Sequence, residues 1–355
     1  MGGPVTIPDL ARTLALDGRT VAGALLALEA EGRVLRGRFT PDANGEEWCE
    51  RHLLARIHRL TLQRLRREIE PVEPREFARF LFDWQHVSEA TRVSGAQALA
   101  AVLAQLEGFE APALAWETEL LAARVEDYEM TWLDELCTTG RVAWTRLRPP
   151  AFDDGRTPTG ASLRATPVLL LPRTSVPLWT RLAPQPHDDD AVSARAQRVL
   201  RHLETRGASF FDEIGEGTRL LRSELEDALS ELVTHGRVRC DSYAGLRALL
   251  VPPSRRAGSG GRHRRNASIT GIDDAGRWAL VGRAAETQAS DNQTPASGDV
   301  EHVARTLLRR YGVICWRLLE REAQWLPPWR DLVREYRRLE ARGEIRGGRF
   351  IAGIP

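Results

Sequence analysis

The chain has 355 residues, 42% of them hydrophobic and 28% charged, a mixture that supports two or three globular domains and excludes disorder throughout. Fifty basic residues stand against 49 acidic ones, and a net charge of +1 excludes a polycationic tail protein. No apolar run approaches the ~18 residues of a membrane span, and the N-terminus lacks a secretory leader, so a cytoplasmic location and no membrane partner are expected.

The fifty basic residues are all arginine. Without lysine there is no phosphate-cradling G-x-x-x-x-G-K-[ST] loop and no Schiff-base chemistry. The cysteines (Cys49, Cys137, Cys240, Cys315) are far apart and the eight histidines are scattered, so neither a disulfide framework nor a metal site is expected.

A repeat organises the rest. An apolar residue, a Leu three positions on, a Gly four further and a β-branched residue two beyond that recur four times. The matches are Leu25-Leu28-Gly32-Val34, Leu133-Leu136-Gly140-Val142, Leu229-Leu232-Gly236-Val238 and Tyr336-Leu339-Gly343-Ile345. Residues three apart share a helix face, and glycine placed there fits a left-handed cap. Alternating segments follow, so each unit reads as helix, cap and strand, the back half of a winged helix.

In chain order, the first unit opens at Pro8 on its second helix, which suggests a start inside a domain. Residues 51–121 read as mostly helical, and Thr166–Leu171 as a strand of the second unit. In the third, Ala191–Arg206 is a helix, Ser223 and Glu226 fit a capping box, and the wing is expected to run Arg237–Ser242, turn near Ala244-Gly245 and return as Leu246–Val251. Residues Pro253–Ser268 and Arg283–Gly298 read as linkers around a short strand, Trp278–Val281. The fourth unit reads as helices Val300–Tyr311 and Trp329–Arg342 with a wing after Gly343. The fold class is therefore mainly α with short β-hairpins (α+β), a tandem array of winged-helix domains. The division is 1–48 partial winged helix, 49–121 helical region, 122–186 second winged helix, 187–253 third, 254–298 linker with a short strand, and 299–355 a fourth, truncated at its end.

Charge is concentrated locally. Arg51–Arg67 carries six Arg and two His with no acid before Glu68. On a helical wheel Leu54, Ile57, Thr61 and Leu65 oppose Arg56, Arg59, Arg66 and Arg67, a face suited to phosphate. The wings add Arg33, Arg36 and Arg38; Arg141, Arg146 and Arg148; Arg237 and Arg239; Arg346 and Arg349. The fourth helix offers Arg330, Arg334 and Arg338, whereas acids on the second (Asp134, Glu135) and third (Glu224, Glu226) direct those helices to protein packing. Arg255, Arg256, Arg262, Arg264 and Arg265 form a further basic stretch. Trp84, Trp116, Trp132, Trp144, Trp278 and Trp316 read as core, and Trp325 and Trp329 as core or base-stacking platforms.

The stretches Leu53–Arg59, Arg64–Val72, Phe77–Val87 (FARFLFDWQHV), Gln105–Glu110, Ala115–Glu117, Gly140–Trp144, Ala244–Leu250 (AGLRALL), Gly276–Trp278 and Arg342–Gly353 are distinctive. Together they resemble the C-terminal half of the large helicase-related (Lhr) family of superfamily 2 DNA helicases, from about Leu25 to Gly353. The resemblance implies a DNA-binding and assembly region of an ATP-dependent helicase linked to DNA repair, with homo-oligomers and a helicase ATPase core, in cis or in trans, as partners. ATP and Mg would belong to that core, and no cofactor is expected in this chain. The family's likeness to tandem winged-helix DNA glycosylases implies a rival, base excision by a carboxylate or amide that activates water. Asp83 and Gln85, with His86 beside them, are its candidates.

Overall fold

The computed structural model describes residues 3–41, 43, 45–147, 160–183, 192–251, 271–282 and 297–354. Their contacts divide the chain into two units, Met1–Val72 with Arg342–Pro355, and Glu73–Ala341. His187–Asp190, Arg148 and the basic stretch Arg255–Arg265 lie outside the described residues.

In the first unit Thr6 caps α1 (Ile7–Leu14) by accepting the Asp9 N–H, and Asp17 caps α2 (Gly18–Ala30) by accepting those of Arg19 and Thr20. β1 (Val34–Gly37) pairs antiparallel with β2 (Glu47–Glu50), and Val5 bridges Trp48. Leu10, Val21, Leu25 and Trp48 fill the small core this winged helix encloses. α3 (Arg51–Arg67) leaves β2 directly, its first turn capped by Glu50, which accepts the N–H groups of His52 (2.9 Å) and Leu53 (2.7 Å).

The second unit begins with α4 (Pro74–Trp84), β3 (Val93–Ser94) and α5 (Ala96–Gln105). β4 (Ala111–Pro112) leads into the short α6 (Ala113–Ala115), which continues as a π-helical turn to Leu121. β5 (Val125–Glu126) lies parallel to β3, and α7 (Met130–Thr138), β6 (Val142–Thr145), α8 (Gly160–Ala165), β7 (Pro167–Pro172) and α9 (Val176–Leu182) follow. β7 is the centre of a sheet ordered β4-β7-β6. Next come α10 (Ala194–Arg206), β8 (Ser209–Phe210), α11 (Phe211–Thr218), α12 (Arg222–Thr234), β9 (Val238–Cys240), α13 (Tyr243–Leu250) and β10 (Arg277–Leu280), with sheet order β8-β10-β9. α14 (Ser297–Tyr311), α15 (Trp316–Leu319) and α16 (Trp329–Ala341) complete the tandem α+β array.

The repeat has the expected physical basis. Gly32, Gly140, Gly236 and Gly343 all have φ between 67° and 76°. In the first three units the glycine N–H reaches back three residues and the next N–H five, as in Gly236 to Val233 and Arg237 to Leu232. That pair of bonds is the Schellman closure of a helix.

Several elements differ from the sequence expectation. Tyr243–Leu250 is a helix, not a returning strand, because Ser242 caps it and its face seats on the preceding domain. Tyr243 donates to the Ala113 carbonyl at 2.7 Å, and Arg247 grips Glu117 at 2.8 Å and Asp134 at 3.0 Å. The returning strand is β10, expected within a linker, which pairs with both β8 and β9. α12 opens at Arg222 rather than after Ser223, since the Glu224 carboxylate accepts the Leu221 N–H. No strand pair forms after Gly343; instead Val72 bridges Ile351, donating to the Phe350 carbonyl (2.9 Å) and accepting from Ala352 N–H (2.8 Å).

One core runs unbroken through the second and third winged helices, with Trp116, Trp144 and Trp278 inside it. The Asp134 carboxylate on α7 is consumed in that packing, and Glu231 on α12 holds Ser193, so these acidic helices serve protein packing. Trp84 and Trp316 are each about two-fifths exposed rather than core.

A second core joins α9 to α14 and α16. At its edge the buried Glu107 carboxylate takes hydrogen bonds from Trp179 Nε1 (2.9 Å) and pairs with His302 Nε2 (2.7 Å). Burial raises its pKa, but the bonds from His302 and Trp179 outweigh that and hold it below the ordinary 4.5. A carboxyl that titrates lower folded than unfolded stabilises the fold fully above pH ~4.5, and that contribution vanishes as pH falls through the folded value. In acid-unfolding titrations, Glu107→Gln should therefore lie below wild type at pH 7, with the gap closing below pH ~4.5; a gap independent of pH would exclude this linkage.

Candidate nucleic-acid interface

α3 turns its arginines to solvent, and Arg56, Arg59 and Arg67 among them are left without an acidic partner among the described residues. Leu53, Leu54, Ile57, Leu62 and Leu65 are half-buried, while Thr61, expected on the apolar side, is exposed, as are Arg56, Arg59, Arg66 and Arg67. Glu50 is spent on the N-cap, which holds its carboxyl below the ordinary range through the two backbone bonds. Glu68 is occupied by Arg64 at 3.1 Å. Among the described residues no carboxylate pairs with Arg56, Arg59 or Arg67.

The ladder at Val72 adds to this face. It lays the C-terminal segment along the chain leaving α3, so closely that a Cβ on Gly348 would fall 2.3 Å from Ile69 Cδ1. Arg346 and Arg349, exposed and without an acidic partner among the described residues, flank that glycine. Sequence reading assigned them to a separate wing; the pairing that places them beside the end of α3 joins residues some 280 apart and has no local signature.

Most of the other candidates are engaged, while Arg38 and Arg141 are exposed without an acidic partner among the described residues. Arg33 pairs with Glu31 (3.9 Å), and Arg36 with Glu29 (3.6 Å) and Glu46 (3.5 Å) while lying over the Trp48 ring. On α16, Arg330 and Arg334 share Asp331 and Arg338 holds Glu335 at 2.6 Å, which leaves Arg337 without an acidic partner among the described residues. Arg146 is buried. Trp329 is partly exposed beside Tyr336, whereas Trp325 is half-buried and bonded to Glu110.

The Asp83-Trp84-Gln85 corner divides into two kinds of residue. Gln85 is fully committed, donating to the Arg310 carbonyl (3.0 Å) and accepting from Arg124 Nη2 (3.2 Å). Trp84 Nε1 donates to the Arg309 carbonyl at 3.0 Å, and His86, just past Gln85, has φ 58° and its Nδ1 2.9 Å from the Thr91 carbonyl. The Asp83 carboxylate is exposed, with no side-chain partner among the described residues. Those residues contain no cluster of three metal-ligating side chains, and no helix long and apolar enough to cross a membrane.

Fold and surface together define a tandem winged-helix protein with a concentrated, uncompensated arginine face. Residues 72–160 and 293–355 each match a family model described as a large helicase-related protein, winged-helix domain. The chain is 32% identical over 328 residues to the Lhr helicase/probable uracil glycosylase of Mycolicibacterium smegmatis, covering 88% of this chain and 20% of that protein. It is 28% identical over 390 residues to the Lhr helicase/uracil glycosylase of Escherichia coli, covering 99% of this chain and 23% of that one. The chain thus spans about a fifth of the length of these curated relatives, and corresponds to a C-terminal winged-helix region of the large helicase-related family.

Proposed function

We propose that this region gives an ATP-dependent Lhr-type helicase its grip on DNA during repair, mainly through backbone phosphates. The observation that carries the reading is the set of unopposed guanidinium groups at Arg56, Arg59, Arg67, Arg346 and Arg349 in one unit. Such groups gain most from a polyanion, because phosphate contact releases condensed counterions. Assembly into homo-oligomers, a motor core supplied in cis or in trans, a cytoplasmic location and the domain division read from the sequence belong to the same reading.

Fluorescence anisotropy over a salt series tests it. Five phosphate contacts give a log–log slope of about 3.5–4.5, and the double substitution Arg56→Gln/Arg59→Gln should lower it by about 1.4–1.8. Absence of binding at 50 mM salt, or a slope the double variant leaves unchanged, would reject the grip.

The relatives' names favour a second reading, excision of uracil, and the free Asp83 carboxylate is the group suited to activating water. Gln85, with both ends of its amide bonded, is better placed to hold the corner. Under this reading Asp83→Asn abolishes release of uracil from a uracil-containing strand; excision that survives the substitution removes Asp83 from the chemistry.

A further inference from the structure

Between the second and third winged helices the edges of two sheets come together, β6 beside β9. They enclose a cavity of about 170 Å³ whose wall includes Arg173, Arg239 and Arg277. Among the described residues Asp241 is the one carboxylate in that wall, and Arg277 already holds it, through its backbone N–H at 2.8 Å and its Nε at 3.4 Å. Among the described residues neither Arg173 nor Arg239 has an acidic partner.

Three guanidinium groups against one carboxylate leave the pocket with two uncompensated positive charges. Cys137 and Cys240 in the wall do not offset them, since burial pushes both thiols up, Cys240 to about 12, and keeps them neutral. Arg239 is half-buried, and desolvation together with the facing Arg173 disfavours its charged form. An anion between the half-buried Arg239 and the exposed Arg173 facing it would relieve that repulsion. A larger cleft of about 870 Å³ beside α10 shows the contrast: there Glu213 and Glu216 accompany the arginines.

We propose that this pocket is a binding site for a single phosphate group, held between Arg173 and Arg239 with Arg277 at its rim. The volume lies below the ~300–1,000 Å³ of pockets that enclose whole small molecules, so the occupant is a free oxyanion or one phosphate of a DNA strand. The site does not depend on the arginine face of the other unit.

Two arms distinguish the sources. In the first, thermal unfolding of the full chain is followed in inorganic phosphate against sodium chloride of equal ionic strength. Phosphate should raise the wild-type Tm, and Arg239→Gln or Arg173→Gln should weaken its apparent Kd at least tenfold, while Arg201→Gln leaves it unchanged. In the second arm the DNA salt slope is compared, and a pocket that takes a strand phosphate loses about 0.7–0.9 unit in either variant. A Tm effect with an unchanged slope assigns a free oxyanion, and a slope change alone assigns DNA. Arg173→Gln, altering an exposed side chain, serves if Arg239→Gln fails to fold. If phosphate leaves Tm unmoved and neither variant alters the slope, the site does not exist. If DNA does not bind at all but phosphate still raises Tm, the pocket stands and the grip fails.

Discussion

Gly108→Ala should cost about 2–5 kcal/mol of stability in the second unit, from two separable causes. Gly108 has φ 75°, where an L side chain loses about 1–2 kcal/mol. The added Cβ would also stand 2.2 and 2.4 Å from two Trp179 ring carbons. That ring has nowhere to retreat: it is 1% exposed, its Nε1 is bound to Glu107, and His302 and Trp325 meet it edge-on at 6.3 and 6.0 Å between centroids. Overpacking of this kind adds about 1–3 kcal/mol. Gly140→Ala isolates the backbone cause, since Gly140 has φ 74° and its nearest neighbour is the flexible Arg173 side chain at 3.8 Å. Urea unfolding followed by tryptophan fluorescence should place Gly108→Ala clearly below Gly140→Ala. Equal losses would mean that Trp179 is not fixed as described.

What could be read in the sequence was what neighbouring residues decide. The helix closures were legible because a Schellman glycine and its flanking leucines lie within a dozen positions. The basic face of α3 was legible because helical spacing alone sorts Arg56 and Arg59 from Leu54 and Ile57. Tyr243–Leu250 was not, since a short apolar run fits either a strand or a helix. Its state is set by Ala113, Glu117 and Asp134, more than 100 residues away. The same limit hid the Val72–Ile351 ladder and the pairing of Arg36 with Glu46 across the hairpin, whereas the Arg334–Asp331 pair, three residues apart on one helix, lay within reach of local spacing. The phosphate pocket had no sequence signal either, because Arg173, Arg239 and Arg277 come from separate elements that only the packing of two sheets brings together.

The buried pair of Arg310 and Glu322 carries the other large effect. Arg310 is 1% exposed, its Nη1 lies 2.5 Å from Glu322, its Nη2 donates to the Glu107 carbonyl, and its guanidinium covers the Phe109 ring. Tyr311 donates its hydroxyl to the same carboxylate, and burial pushes that phenol well above its ordinary range, so it stays a donor. Either single substitution strands a charge in a dry site. Glu322→Leu leaves the guanidinium without a counter-ion, Arg310→Met leaves the carboxylate with only Tyr311, and each should cost about 3–5 kcal/mol. The double variant Arg310→Met/Glu322→Leu strands neither and should recover most of the loss, because well-packed apolar residues often replace a buried ion pair without penalty. Unfolding free energies of all four proteins close a double-mutant cycle. Additive losses would mean that the two side chains act independently. A strongly non-additive cycle identifies the pair as a clasp between α14 and the segment that follows α15; the same guanidinium donates to the Glu107 carbonyl just past α5, beside the carbonyls of Arg309 and Arg310 on which the Asp83-Trp84-Gln85 corner hangs.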